Sequence, residues 1–313
     1  MRLLVTGSTG FLGGAFGRIA ARNGYEVIGV GRSAEAGDDW PGAYLRVDDQ
    51  IESISATIAA TSPEVVFHGA GTASVGASFS DPYGDFQGSV VTCMNLLEAV
   101  RRSTCRPLVF IPSSAAVYGN ADSLPINESA PITPISPYGL HKSMCEMLAR
   151  GWASAFGLRV VIGRLFSVFG PTQRRLLIWE LFHHLTGELA DVTIEGTGSE
   201  SRDFLYVDDA ASAFLQLAEV LREGTAGYFE IVNVASGEET TVARLANNLR
   251  DMVAPQKQIR YRGLVRPGDP SHWRADISKL TSMLPDWRAQ PLPEGLATCI
   301  KSWREPTALQ HGA

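Results

Sequence analysis

Short, nearly all-apolar runs alternate with longer amphipathic ones through the first half of the chain. RLLV, EVIGV, AYLRV, EVVFHG, PLVFIP and LRVVIGRLF are short and rich in β-branched and aromatic residues, so each predicts a strand. Between them, segments such as FLGGAFGRIAARNG and DPYGDFQGSVVTCMNLLEAVRRS predict amphipathic helices. SPYGLHKSMCEMLARGWASAFG reads as a further helix: Ser136 caps it, Pro137 suits the first helical position, and Met144, Met147, Leu148 and Trp152 recur near a 3.6-residue period before Gly157 closes it. Strands that are apolar on both faces and joined by helices imply an α/β fold, a doubly wound parallel sheet covered on both sides. After about Phe166 the pattern is less regular, with turns such as GTGSESRD and RPGDP, and predicts a smaller α+β unit. DFLYVDDAASAFLQLAEVL and FEIVNVAS are regular enough to return to the main sheet. The expected division is 1–166, rejoined by about 203–236, with 167–313 mainly in the smaller unit.

Composition narrows the function. The 313 residues are 45% apolar and 19% charged, as in an ordinary globular protein of one large or two moderate domains. A net charge of −6 argues against nucleic acid or an anionic membrane as main partner, while leaving room for a local basic pocket. Cys93, Cys105, Cys145 and Cys299 form no CxxC pair, which points to a reduced, cytoplasmic protein without a metal site. No apolar run approaches the ~18 residues of a membrane span, and no cleavable signal precedes RLLVTG.

In LLVTGSTGFLGG, Gly7, Gly10 and Gly13 fall directly after the first strand and at the opening of a helix. Glycines there permit a tight turn and the approach of a dinucleotide's pyrophosphate, while the helix start supplies N–H donors, Phe11 and Leu12 among them. This is the Rossmann dinucleotide fingerprint in its proper context. The second strand ends Val30-Gly31-Arg32-Ser33, with no carboxylate for a ribose 2′-hydroxyl. Arg32 suits a 2′-phosphate, so NADP(H) is favoured; NAD(H), with Glu35 or a later acid on the ribose, is the alternative. Asp48 is a candidate for the adenine edge and Gly71, in HGAG, for the cofactor cleft. His68 is expected to pack at its strand end.

Tyr138 and Lys142 are four apart on the predicted helix and share one face. Ser113 and Ser114 end the fifth strand, at the sheet edge where ligands of open α/β sheets collect. Ser114, Tyr138 and Lys142 behind a glycine fingerprint resemble the serine–tyrosine–lysine constellation of the extended short-chain dehydrogenase/reductase family. The GxxGxxG spacing, SAAVYG, YGLHK, SRDFLYVDDAA and RPGDPSHWRADISKL extend that resemblance over nearly the whole chain, toward nucleotide-sugar epimerases, dehydratases and 4-ketoreductases. It implies that Ser114 binds the reacting oxygen, that Tyr138 exchanges its proton, and that Lys142 favours the phenolate and holds the nicotinamide ribose. A phenol with a reference pKa near ~10 needs that help. Arg202 and Arg266 would contact the diphosphate of a nucleotide-diphosphate sugar, with Ser74 and Ser167 near the sugar. A homodimer is expected on the same ground.

Departures from the family pattern refine the reading. Ala115 and Ala116 stand where 4,6-dehydratases carry an acid pair, which disfavours dehydration. Ser89 and Ser167 replace asparagines usual in sugar epimerases, and His141 replaces a small residue on what is expected to be an exposed helix face. The resulting expectation is NADPH-dependent reduction of a 4-keto-6-deoxyhexose at C4. A redox-neutral 4-epimerase with tightly held NAD is the alternative, and a nonenzymatic dinucleotide sensor the distant one.

Overall fold

The computed structural model describes residues 1–37, 39–264, 268 and 270–305. The apolar runs form seven parallel strands: β1 (Arg2–Thr6), β2 (Glu26–Gly31), β3 (Ala43–Arg46), β4 (Val65–His68), β5 (Leu108–Ser114), β6 (Arg159–Leu165) and β7 (Phe229–Val234). Their spatial order is β3-β2-β1-β4-β5-β6-β7. Strand order reverses between β1 and β4, the place where a doubly wound sheet opens a crevice at the carboxyl ends of its strands. The fold is the one the alternating pattern predicts, and FEIVNVAS supplies β7. Edge strand β3 is mostly exposed, unlike the inner strands.

Side-chain alternation along the strands makes two cores. Leu3, Val5, Phe67 and Phe110 face helices α1 (Phe11–Arg22) and α5 (Val207–Val220), where Phe67 stacks on Phe16 and meets Phe214 edge-on. Leu4, Val66, Val109 and Ile162 face α2 (Ile51–Thr61), α3 (Thr92–Arg102) and α4 (Pro137–Phe156). A one-residue slip would exchange the two faces, so the pattern fixes the register. Beyond β6, three two-stranded sheets and the helices Leu176–Thr186, Val242–Val253 and Leu292–Arg304 enclose a further core, with Trp303 against Trp179 and Phe182. Among the described residues no helix is long and apolar enough to cross a membrane.

Candidate active site

At the end of β1 the chain turns at Gly7, φ +63°, where a Cβ would lie 2.5 Å from the Ala70 nitrogen. A Cβ on Gly13 would lie 2.3 Å from the Gly7 oxygen. Only glycine lets β1, the start of α1 and the loop after β4 meet backbone to backbone. Gly10 caps α1 without a side-chain acceptor, and its first turn carries no acid. The amides of Phe11, Leu12 and Gly13 therefore face no competing side chain at the positive end of the helix. This cradle fits a dinucleotide pyrophosphate.

Arg32 follows β2 with its side chain 78% exposed and Nη1 3.3 Å from Asp49 Oδ2. An exposed pair of this kind contributes about 0–1 kcal/mol, so a ligand phosphate can displace Asp49. Asp48 Oδ1 accepts from the Gln50 amide, and Glu35 lies exposed in the loop beyond. His68 is buried at the end of β4, its Nδ1 2.9 Å from Thr6 Oγ1. Burial, and then the Lys142 charge, push its pKa down to about 3, and its Nε2 has no partner among the described residues.

α4 starts as the sequence predicts: Ser136 Oγ accepts from the Gly139 amide and Pro137 takes the first position. A Cβ on Gly139 would lie 2.4 Å from the Ala116 oxygen, so glycine lets α4 press against the turn that follows Ser114. Tyr138 packs with the cluster that holds Ala115 and Ala116, and its amide donates to Ser78 Oγ. Lys142 Nζ donates to the Pro112 carbonyl at 3.3 Å and lies 5.6 Å from the Tyr138 ring centroid. A Cβ built on Gly71 would be 3.8 Å from that Nζ. The strand end bearing Ser114, the Tyr138/Lys142 helix and the glycine loop thus converge at one edge of the sheet.

The two serines differ. Ser113 is buried and donates to Glu146 Oε1 at 2.6 Å, whereas Ser114 is half-buried and accepts from the Ala116 amide. Glu146 also pairs with Arg164, whose Nη1 donates to the Tyr118 hydroxyl; that hydroxyl donates to Asn233 Oδ1. The Glu146–Arg164 network escaped the sequence reading, although a glutamate in the apolar stretch MCEML was its visible signal. His141 is buried rather than exposed, because Asp85 sits beneath it with Oδ2 2.5 Å from Nδ1.

The other predicted positions are more scattered. Ser74 caps the helix Val75–Ser80, and Ser167 opens a short strand beside Phe204–Tyr206. Arg202 donates to the Ser201 carbonyl and stands over Trp273 at 5.5 Å. Its neighbour Asp203, wholly buried, accepts from Ser236 N and Oγ, Gly237 N and Ala275 N. Burial raises its carboxyl above the usual range. Arg266 lies outside the described residues. Among those residues no cluster of His, Cys, Asp and Glu could hold a metal ion.

Comparison with known proteins places the chain in a family. The profile of the NAD dependent epimerase/dehydratase family matches residues 3–235. The chain belongs to that family. A UDP-glucose 4-epimerase of Mycolicibacterium smegmatis is 29% identical, covering 97% of this chain and 99% of the relative. A GDP-6-deoxy-D-mannose reductase of Pseudomonas aeruginosa is 30% identical, covering 73% and 81%. The structure of MoeE5 with UDP-glucuronic acid and NAD superposes with a TM-score of 0.85 at 28% identity, covering 97% of this chain and 99% of that one. The protein is accordingly an enzyme of the nucleotide-sugar epimerase, dehydratase and reductase class.

Proposed function

We propose that this family member is a nucleotide-sugar 4-epimerase, a reading carried by the convergence of Ser114, Tyr138 and Lys142 beside the glycine cradle, with no acid at Ala115 or Ala116. The full-length 4-epimerase relative supports 4-epimerisation over the reduction that the sequence favoured. Gly7, Gly10, Phe11, Leu12 and Gly13 hold the cofactor pyrophosphate, Arg32 and Asp48 its adenosine end, and Gly71, Tyr138 and Lys142 its nicotinamide half. Arg202 and Arg266 hold the substrate diphosphate, and Ser74 and Ser167 border the sugar. On this division residues 1–166, with about 203–236, serve the cofactor and the remainder mainly the substrate.

The bound nicotinamide supplies the acceptor, and later the donor, of the hydride at sugar C4. Tyr138 takes the C4 hydroxyl proton as that carbon becomes a ketone and returns it to the oxygen after the sugar has presented its other face. The Lys142 ammonium stabilises the phenolate, and Ser114 donates to the C4 oxygen. The chain acts in the cytoplasm as a homodimer.

One observation favours a second reading. Gly31 and Arg32 at the end of β2 suit a 2′-phosphate, and an NADPH-dependent 4-ketoreductase would use one. The protein is supplied with UDP-glucose, UDP-galactose and, separately, a nucleotide-linked 4-keto-6-deoxyhexose, while nicotinamide absorbance and sugar products are followed. Interconversion of the 4-epimers without added NADPH, lowered at least ~100-fold in Tyr138→Phe, is expected. Stoichiometric NADPH loss with the keto sugar, and no interconversion, would replace the epimerase by the reductase.

A further inference from the structure

Two of the departures in the sequence, Ser89 and His141, lead to one hydrogen-bonded network. His141 precedes Lys142 on α4, and its Nδ1 is 2.5 Å from Asp85 Oδ2, with Phe86 meeting the ring edge-on at 5.5 Å. Thr72 Oγ1 donates to the other Asp85 oxygen at 2.5 Å. Its only proton is then committed, so Ser89, 2.7 Å away, donates its hydroxyl proton to Thr72. Ser89 lies in a widened π turn, Gln87–Val91, and Thr72 follows Gly71, the loop residue beside Lys142 Nζ. Asp85, Ser89 and His141 are all buried.

We infer that His141 and Asp85 are positioning residues that lock the Gly71–Thr72 loop against α4 and thereby set the place of Lys142 at the nicotinamide end of the cofactor site. The links close a ring: Lys142 to His141 along the helix, across to Asp85, on to Thr72, and back through Gly71 to the lysine. Two of the joints are short hydrogen bonds, His141 to Asp85 between buried groups and half-buried Thr72 to Asp85, while chain neighbours and the approach of Gly71 to Lys142 Nζ make the rest, so a shift of the loop relative to α4 must break one of the two bonds. Burying a carboxylate is costly, and a buried pair often adds little net stability compared with an apolar replacement; its contribution here is geometric specificity. Thr72 sits where the loop meets the cleft, and one hydroxyl there serves both Asp85 and Ser89.

Isothermal titration of the purified full chain with NADH, and in parallel NADPH, tests this without any substrate, since fitted stoichiometry separates affinity from folded fraction. His141→Ala and Thr72→Val each weaken the tighter nucleotide about fivefold or more, the equivalent of one lost hydrogen bond. Acting through one ring, they do not multiply: the double variant binds within about twofold of the worse single. His141→Gln, which keeps an N–H for Asp85, stays within about twofold of wild type. The inference is overturned if either folded single variant binds both nucleotides as the wild type does, or if the two losses multiply. Thr72→Val removes one hydroxyl at nearly constant volume and keeps the test decisive should His141→Ala fail to fold. Because the readout is cofactor affinity, it is independent of which sugar reaction the protein performs.

Discussion

At the end of β4, Thr6 Oγ1 accepts the Ala70 amide and so has its proton free for His68 Nδ1. The neutral ring then carries its own proton on Nε2. With its pKa near 3, held there by burial and then by Lys142, His68 stays neutral where an unfolded chain would bind a proton below pH ~6.5. The unfolded state thus holds more protons between about pH 3 and 6.5, and stability falls as pH falls through that window. At pH 5 the wild type loses about 2 kcal/mol from this one residue relative to pH 7.5. Urea unfolding of wild type and His68→Gln across that range measures it; parallel slopes would exclude His68 as the source. A strand-end histidine could be read as packed from sequence, but nothing in a 62-residue separation announces its Thr6 partner. Asp85 and His141, 56 residues apart, were equally silent. Tyr138 and Lys142 were legible because a helix fixes their spacing locally.

Elements were easier to read than pairs. Short, nearly all-apolar runs marked the strands, and a 3.6-residue period, a capping serine with Pro137 and a closing Gly157 marked α4, because each reflects local geometry and burial. What joins the elements is less local. Glu146 of α4 accepts Arg164 of β6 at 2.7 Å and Ser113 of β5 at 2.6 Å, and Arg164 reaches the Tyr118 hydroxyl and the Glu128 carbonyl. Burial, against the pull of Arg164, pushes the Tyr118 phenol up to about 12, so it remains a neutral donor to Asn233 of β7. The network fixes α4 to three strands immediately behind Ser114. Glu146→Ala leaves the Arg164 charge buried and should cost roughly 3–5 kcal/mol in denaturant unfolding. Glu146→Leu with Arg164→Met, which removes both charges, should recover most of it. A loss under about 1 kcal/mol in the single variant would show that water or rearrangement satisfies Arg164.

Across the whole molecule the glycine cradle, Ser114 and the start of α4 meet at the carboxyl end of the main sheet's strands, while the side of α3 and α4 turned away from the sheet presents an outer face. Leu140 and Met147 lie seven residues apart on the same stripe of α4 and are 46% and 64% exposed. Val91, at the start of α3, is 39% exposed. A helix face with its apolar positions uncovered suits burial against a second copy, and a two-fold axis would set α3 and α4 against their own equivalents. Resemblance alone suggested a homodimer; this face gives that proposal a location. Because α4 also carries Tyr138 and Lys142, pairing would stiffen the helix that holds the proposed catalytic groups. Met147→Glu places a charge at the centre of the stripe without touching the inner face, where Cys145, Ala149 and Ala153 pack. Light scattering after size exclusion should find the wild type at twice its 33.7 kDa chain mass and Met147→Glu shifted to the monomer. A wild-type monomer, or a dimer indifferent to Met147→Glu, would move the interface off α4 and leave the exposed stripe as ordinary surface.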